Sequence, residues 1–215
     1  MKRNCLFIII MALVAQTLCA QVITTKLTVY NEFKPSVIQL KDGRQLAQPL
    51  TNIFLKNSSL LYLRGTESME ANMDNILSVK FDDRYYVKID TLLCYEVDSV
   101  GNDALYCATI IDIPAYHQHL KNSQVISNLD FTFAGSLGGQ ISTATVDLSS
   151  EDDHMFPLID IFYYRLNGKF VRVHERTLER LLPKEKRRML RTYENMDGFS
   201  WTDKDSLLKL LKAIQ

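Results

Sequence analysis

Two dipeptides constrain this chain more than any other feature: Asp42-Gly43 and Asn167-Gly168, each set between alternating apolar runs. The tightest antiparallel turn needs positive φ at both central residues, and Asn, Asp and Gly reach that region at least cost. The strings VIQLKDGRQL and FYYRLNGKFVRVH therefore predict hairpins. A third is predicted in VKFDDRYYVKID, where two aspartates separate the runs.

Between the hairpins lie further runs of β-branched, aromatic and aliphatic residues: KLTVY (26–30), NIFLK (52–56), SLLYLRG (59–65) and ALYCATII (104–111). Strands at this spacing predict a compact antiparallel sheet or small barrel over residues 21–120. Residues 121–153 are rich in Ser, Gly, Asn and Asp and read as a long, flexible connection. Residues 154–215 read as a β-hairpin followed by two or three short helices. In ERTLERLL and PKEKRRMLRTYENM the apolar period lengthens, and Pro183 suits a first helical turn. The terminal segment, Asp203 to Ile214, places Leu207, Leu208, Leu210, Leu211 and Ile214 on one face, with Ser200 or Thr202 as its expected cap. That stripe should dock on the 156–174 hairpin, against Phe162, Tyr164, Val171 and Val173. The fold class expected is α+β.

LLCYEVDSVGNDALYCATII is another hairpin, turning near Gly101. Centred between Val100 and Gly101, it sets Cys94 directly opposite Cys107, close enough for a disulfide in an oxidising compartment.

The first residues suggest such a compartment. Lys2 and Arg3 precede an uncharged apolar run from Cys5 to Ala15, too short to span a bilayer core of about 30 Å. This is the pattern of a signal peptide, cleaved after Ala20. Leu18 and Gln16 do not suit lipidation of Cys19, so the mature chain is expected to begin at Gln21, without lipid and without a transmembrane segment. It would be periplasmic or extracellular.

Charge is unevenly placed along the chain. Residues 21–164 carry 10 Lys and Arg against 18 Asp and Glu, whereas residues 165–215 carry 13 against 7. Attraction between the halves across an interface accounts for this more simply than a polyanion-binding tail. Export argues against a nucleic-acid partner.

The runs VIQLKDGRQL, NIFLKNSSLLYL, VKFDDRYYVKID and FVRVHERTLERLLPKEKRRML resemble those of small exported proteins of unknown function from Bacteroidota-type bacteria. The resemblance implies an exported β-rich module and transfers no catalytic residue.

Chemistry-bearing motifs are sparse. On a strand, His117 and His119 would share a face and could hold one ion, with Asp112 as the candidate third ligand, which is the basis for an alternative reading as a metal-dependent hydrolase using these histidines and nearby carboxylates. The acidic EDDH (151–154) lacks the ligand spacing of a calcium loop, and GSLGGQ (135–140) lacks that of a phosphate loop. No catalytic residue, metal site or cofactor is assigned. If the Asn167-Gly168 turn is tight, Tyr163, Arg165, Phe170, Arg172 and His174 share one face, where arginines among aromatics suit an acidic or sugar ligand. The leading expectation is a non-catalytic binding or structural protein of the cell envelope, with an envelope or extracellular protein or a glycan as partner.

Overall fold

A computed structural model describes residues 23–24, 26–123 and 155–215. The signal peptide, EDDH, GSLGGQ and nearly all of the 121–153 connection lie outside the described residues. The strands are β1 (Ile23–Thr24), β2 (Lys34–Leu40), β3 (Gln45–Phe54), β4 (Ser59–Arg64), β5 (Glu67–Glu70), β6 (Ile76–Lys80), β7 (Tyr85–Ile89), β8 (Leu92–Val100), β9 (Asp103–Ile111), β10 (Phe156–Leu166) and β11 (Lys169–Arg172). All belong to one antiparallel sheet, ordered β1-β10-β9-β8-β7-β6-β2-β3-β4-β5, with β11 also paired to β10. A small N-terminal sheet followed by a separate hairpin is therefore corrected: β10 and β11 extend the same large, open sheet. The order is that of two meanders, β2 to β5 and β6 to β11, joined where β6 pairs with β2.

The expected turns form, each by its own chemistry. Asn167 and Gly168 both have positive φ (50° and 78°), and Leu166 pairs with Lys169 across a two-residue loop. Asp42-Gly43 instead closes a three-residue loop between Leu40 and Arg44, with Gly43 at φ 87°. The Asp42 carboxylate accepts from the Arg44 backbone N–H at 3.0 Å and from its Nε at 2.7 Å. The run at 26–30 is not a strand; it meets β3 through a single bridge, Thr28 to Phe54.

The sheet curls. Leu93 N–H donates to the Ser58 carbonyl (2.9 Å), and the Ser58 hydroxyl returns a bond to the Leu93 carbonyl (2.8 Å). Ile111 N–H donates to the Leu55 carbonyl (2.7 Å). These bonds fold the β3–β4 turn over the inner face, and Ile53, Leu60, Val79, Phe81, Tyr86 and Leu93 are buried together beneath it.

A short 3-10 turn (Met73–Asn75) and four α-helices complete the described structure: α1 (Ile113–Ser123), α2 (Glu175–Leu181), α3 (Lys184–Glu194) and α4 (Lys204–Ile214). The last docks as its pattern predicts. Leu207, Leu210, Leu211 and Ile214 are buried against Leu105, Cys107, Phe162 and Tyr164, with Val171 and Val173 packed alongside. Its cap is Asp203, which accepts from Ser206 N–H at 2.8 Å, and not Ser200 or Thr202. No described helix is long and apolar enough to cross a membrane.

The cysteines are corrected by register. The β8–β9 turn sits at Gly101-Asn102, pairing Val100 with Asp103, and a bulge between Glu96 and Asp98 then shifts the ladder by one. Cys107 faces Tyr95, while Cys94 pairs with Val87 of β7. A slip of one residue sends a side chain to the other face. Cys94 therefore packs with Ile89, Ala108 and Tyr163, and Cys107 with Phe162 and Leu207. Both are buried free thiols.

Attraction between the halves also takes another form. Arg191 pairs with Glu179 at 3.0 Å, and Lys186 donates to the Gln215 carbonyl. Among the described residues, no ion pair joins α2–α4 to a carboxylate of the sheet. Burial of the α4 stripe joins the helices to the strands.

Candidate functional site

The helices pack on the inner face of the sheet, and strand alternation delivers a different set of side chains to the outer face. Across six strands one row runs through Lys80, Tyr85, Glu96, Tyr106, Tyr163 and Arg172: Lys80 pairs with Tyr85, Glu96 with Tyr106, Tyr106 with Tyr163, and Tyr163 with Arg172. The next row adds Arg165, which pairs with Phe170.

Tyr106 organises this surface. Its hydroxyl donates to Glu96 Oε2 at 2.7 Å and accepts from Arg165 Nη1 at 2.9 Å. The Phe170 ring meets the Tyr106 ring edge to face at 5.2 Å between centroids, and the Arg165 guanidinium lies 5.6 Å from the same ring. Tyr106 itself is buried, whereas Phe170 and Tyr85 stand 39% and 54% exposed. An open depression of about 730 Å³ lies between them, lined by Arg84, Tyr85, Glu96, Tyr106, Arg165 and Phe170, among others.

Burial, and then the bond to Glu96, pushes the Tyr106 phenol up to about 12. Burial and the bond to Asp90 Oδ2 (3.0 Å) push Tyr163 to about 12 as well. Neither is a base or nucleophile near neutral pH. What the arrangement offers is hydrogen bonding and ring stacking. The Tyr106 hydroxyl both donates and accepts in the Glu96–Tyr106–Arg165 chain, so its position is set before any ligand arrives.

Of the five residues read from the sequence, the structure sets Tyr163, Arg165, Phe170 and Arg172 on this face. Tyr163 is buried beneath the surface. His174 is corrected: β11 ends at Arg172, and His174 caps α2, its Nδ1 accepting from Arg176 N–H at 3.3 Å. Sequence reasoning missed Tyr85, Glu96 and Tyr106. Alternation assigns each a face of its own strand, but nothing local says which strands lie side by side.

The metal reading loses its geometric premise. Residues 113–123 form helix α1, not a strand, so positions 117 and 119 fall about 200° apart around its axis. Asp112 accepts from Ala115 N–H at 3.0 Å and starts that helix; together with Pro114 in the first turn, it is the signal that could have revealed it. Among the described residues, no three His, Cys, Asp or Glu side chains gather as a metal site.

No family model, curated protein or solved structure matches this chain.

Proposed function

We propose that this chain is an exported, non-catalytic binding protein of the cell envelope, and that the outer face of its sheet holds a hydroxyl-rich glycan. The observation that carries this reading is the Tyr106 hydroxyl fixed between Glu96 and Arg165 beneath the exposed rings of Phe170 and Tyr85. A pyranose has apolar C–H faces and a hydroxyl rim. Its faces suit exposed aromatic rings, and its rim suits planar carboxylate and guanidinium groups that accept or donate in pairs. Asp83 and Glu96 balance Arg84 and Arg165 around the depression, which favours a neutral ligand over a strongly charged one. Export rests on the basic start and apolar run of residues 2–15.

Native affinity electrophoresis through gels containing mannan, laminarin, dextran or chondroitin sulfate tests the reading. Retardation by a neutral polysaccharide, lost in both Phe170→Ala and Tyr85→Ala, is expected. Unchanged mobility in every gel, or retardation that survives both substitutions, overturns it.

A further inference from the structure

The curl of the sheet leaves a second cavity on its inner face, of about 260 Å³. The β3–β4 side supplies Ile53 and Leu55, while Leu93 and Leu158 come from the opposing strands. Residues 26–31 form one wall, and buried Asn52 holds that wall in place. Its Nδ2 donates to the carbonyls of Tyr30 (2.9 Å) and Glu32 (3.2 Å), and its Oδ1 accepts from Tyr30 N–H (3.1 Å). The cavity is thus a built feature of the fold, with its walls hydrogen-bonded across 22 residues of sequence.

Its lining is asymmetric. The interior is more apolar than polar, and two cations, Lys26 and Arg84, line it with no carboxylate among the lining residues. Both have neutral partners only. Lys26 Nζ donates to Asn31 Oδ1 at 2.6 Å, and the Arg84 guanidinium lies 4.4 Å from the Tyr95 ring centroid. Among the described residues, neither belongs to an ion pair.

We infer that this cavity binds a small amphipathic carboxylate, its head group between Lys26 and Arg84 and its alkyl chain against Ile53, Leu55, Leu93 and Leu158. A carboxylate accepts charge-assisted bonds from both cations. The aliphatic floor favours a hydrocarbon tail over a purely polar anion such as phosphate, because each buried methylene leaves water. Size follows by proportion: an apolar cavity of about 150 Å³ accepts benzene, so this one takes about ten non-hydrogen atoms. Octanoate has that size. Arg84 lines the outer depression as well, but the glycan reading is carried by Tyr106, Phe170 and Tyr85, so either reading can fail alone.

Isothermal titration of the full mature chain with sodium octanoate, 1-octanol and inorganic phosphate tests the inference. Octanoate should bind at one site, about tenfold or more tighter than octanol, with no heat from phosphate. The double variant Lys26→Gln, Arg84→Gln should weaken octanoate about tenfold or more, while Arg44→Gln, which removes a distant surface cation, should not. Lys26 and Arg84 are exposed, so the double variant should keep the wild-type melting temperature. Equal binding of octanol and octanoate, tight phosphate binding, no octanoate binding, or full affinity in a folded double variant would each overturn the inference.

Discussion

The Tyr164 hydroxyl donates to the Leu207 backbone carbonyl at 2.6 Å, a buried bond that ties the C-terminal part of β10 to the first turn of α4 across 43 residues of sequence. Leu207 O is the only polar contact described for this hydroxyl, and Tyr164 is fully buried, so its ionisation is pushed strongly upward. Tyr164→Phe keeps the ring and removes the donor. It should cost about 0.5 to 1.5 kcal/mol, the usual net worth of one hydrogen bond, because the Leu207 carbonyl keeps its in-helix bond to the Leu211 N–H. Urea denaturation of wild type and variant measures it, and a change in midpoint without a change in slope is expected.

Leu211 lies at the centre of the same contact and has no exposed surface. Leu211→Ala should lower stability by about 2 to 5 kcal/mol, through lost transfer energy and the cavity left behind. An isolated helix of this length is marginal in water, so α4 persists because it is docked. A loss below about half a kcal/mol would show that the stripe is not packed as described.

The Asp203 cap carries a pH dependence of known sign. Its carboxyl is held below the ordinary value, first by the Ser206 hydroxyl, which donates to Oδ2 at 2.7 Å, and then by the Ser206 N–H. A depressed folded-state pKa contributes stability that is complete above the unfolded value, near 3.9, and is lost as pH falls through the folded one. Asp203→Asn should therefore flatten part of the acid limb of a melting-temperature profile below about pH 4. Asp203→Ala should cost about 0.5 to 2 kcal/mol at neutral pH, the usual range for a lost cap.

Cys94 and Cys107 should both titrate as free thiols in denatured, unreduced protein. In the folded state they should resist alkylation, because burial raises both thiols, Cys107 to about 12. Timed iodoacetamide labelling with intact-mass readout distinguishes the two conditions. A mass two protons lighter with no labelling after denaturation would indicate a bridge.

Intact mass also tests processing. Protein recovered from the envelope fraction should begin at Gln21. A chain starting at Cys19 with added acyl mass would replace free release by a lipid anchor.

The hairpins at 42–43 and 167–168 and the α4 stripe were legible because their causes are local: positive φ at Asn or Gly, and apolar spacing around a helix. The same logic placed Phe162, Tyr164, Val171 and Val173 toward the helices, since alternation along one strand survives any choice of neighbours. Register did not follow. A single bulged residue after Glu96 sent Cys94 and Cys107 to opposite faces, and no local preference in LLCYEVDSV marks that bulge. Helix α1 was hidden because YHQHL carries little period of its own, and its Tyr116 is anchored by Phe156, 40 residues onward. The Glu96–Tyr106–Arg165 chain joins three strands, and the inner cavity exists only because Ser58 meets Leu93 when the sheet curls. Turn and periodicity are properties of neighbours in sequence, and they were set by the residues alone. Which strands lie side by side, and what their faces then enclose, depends on long-range pairing, and that was decided only by the tertiary fold.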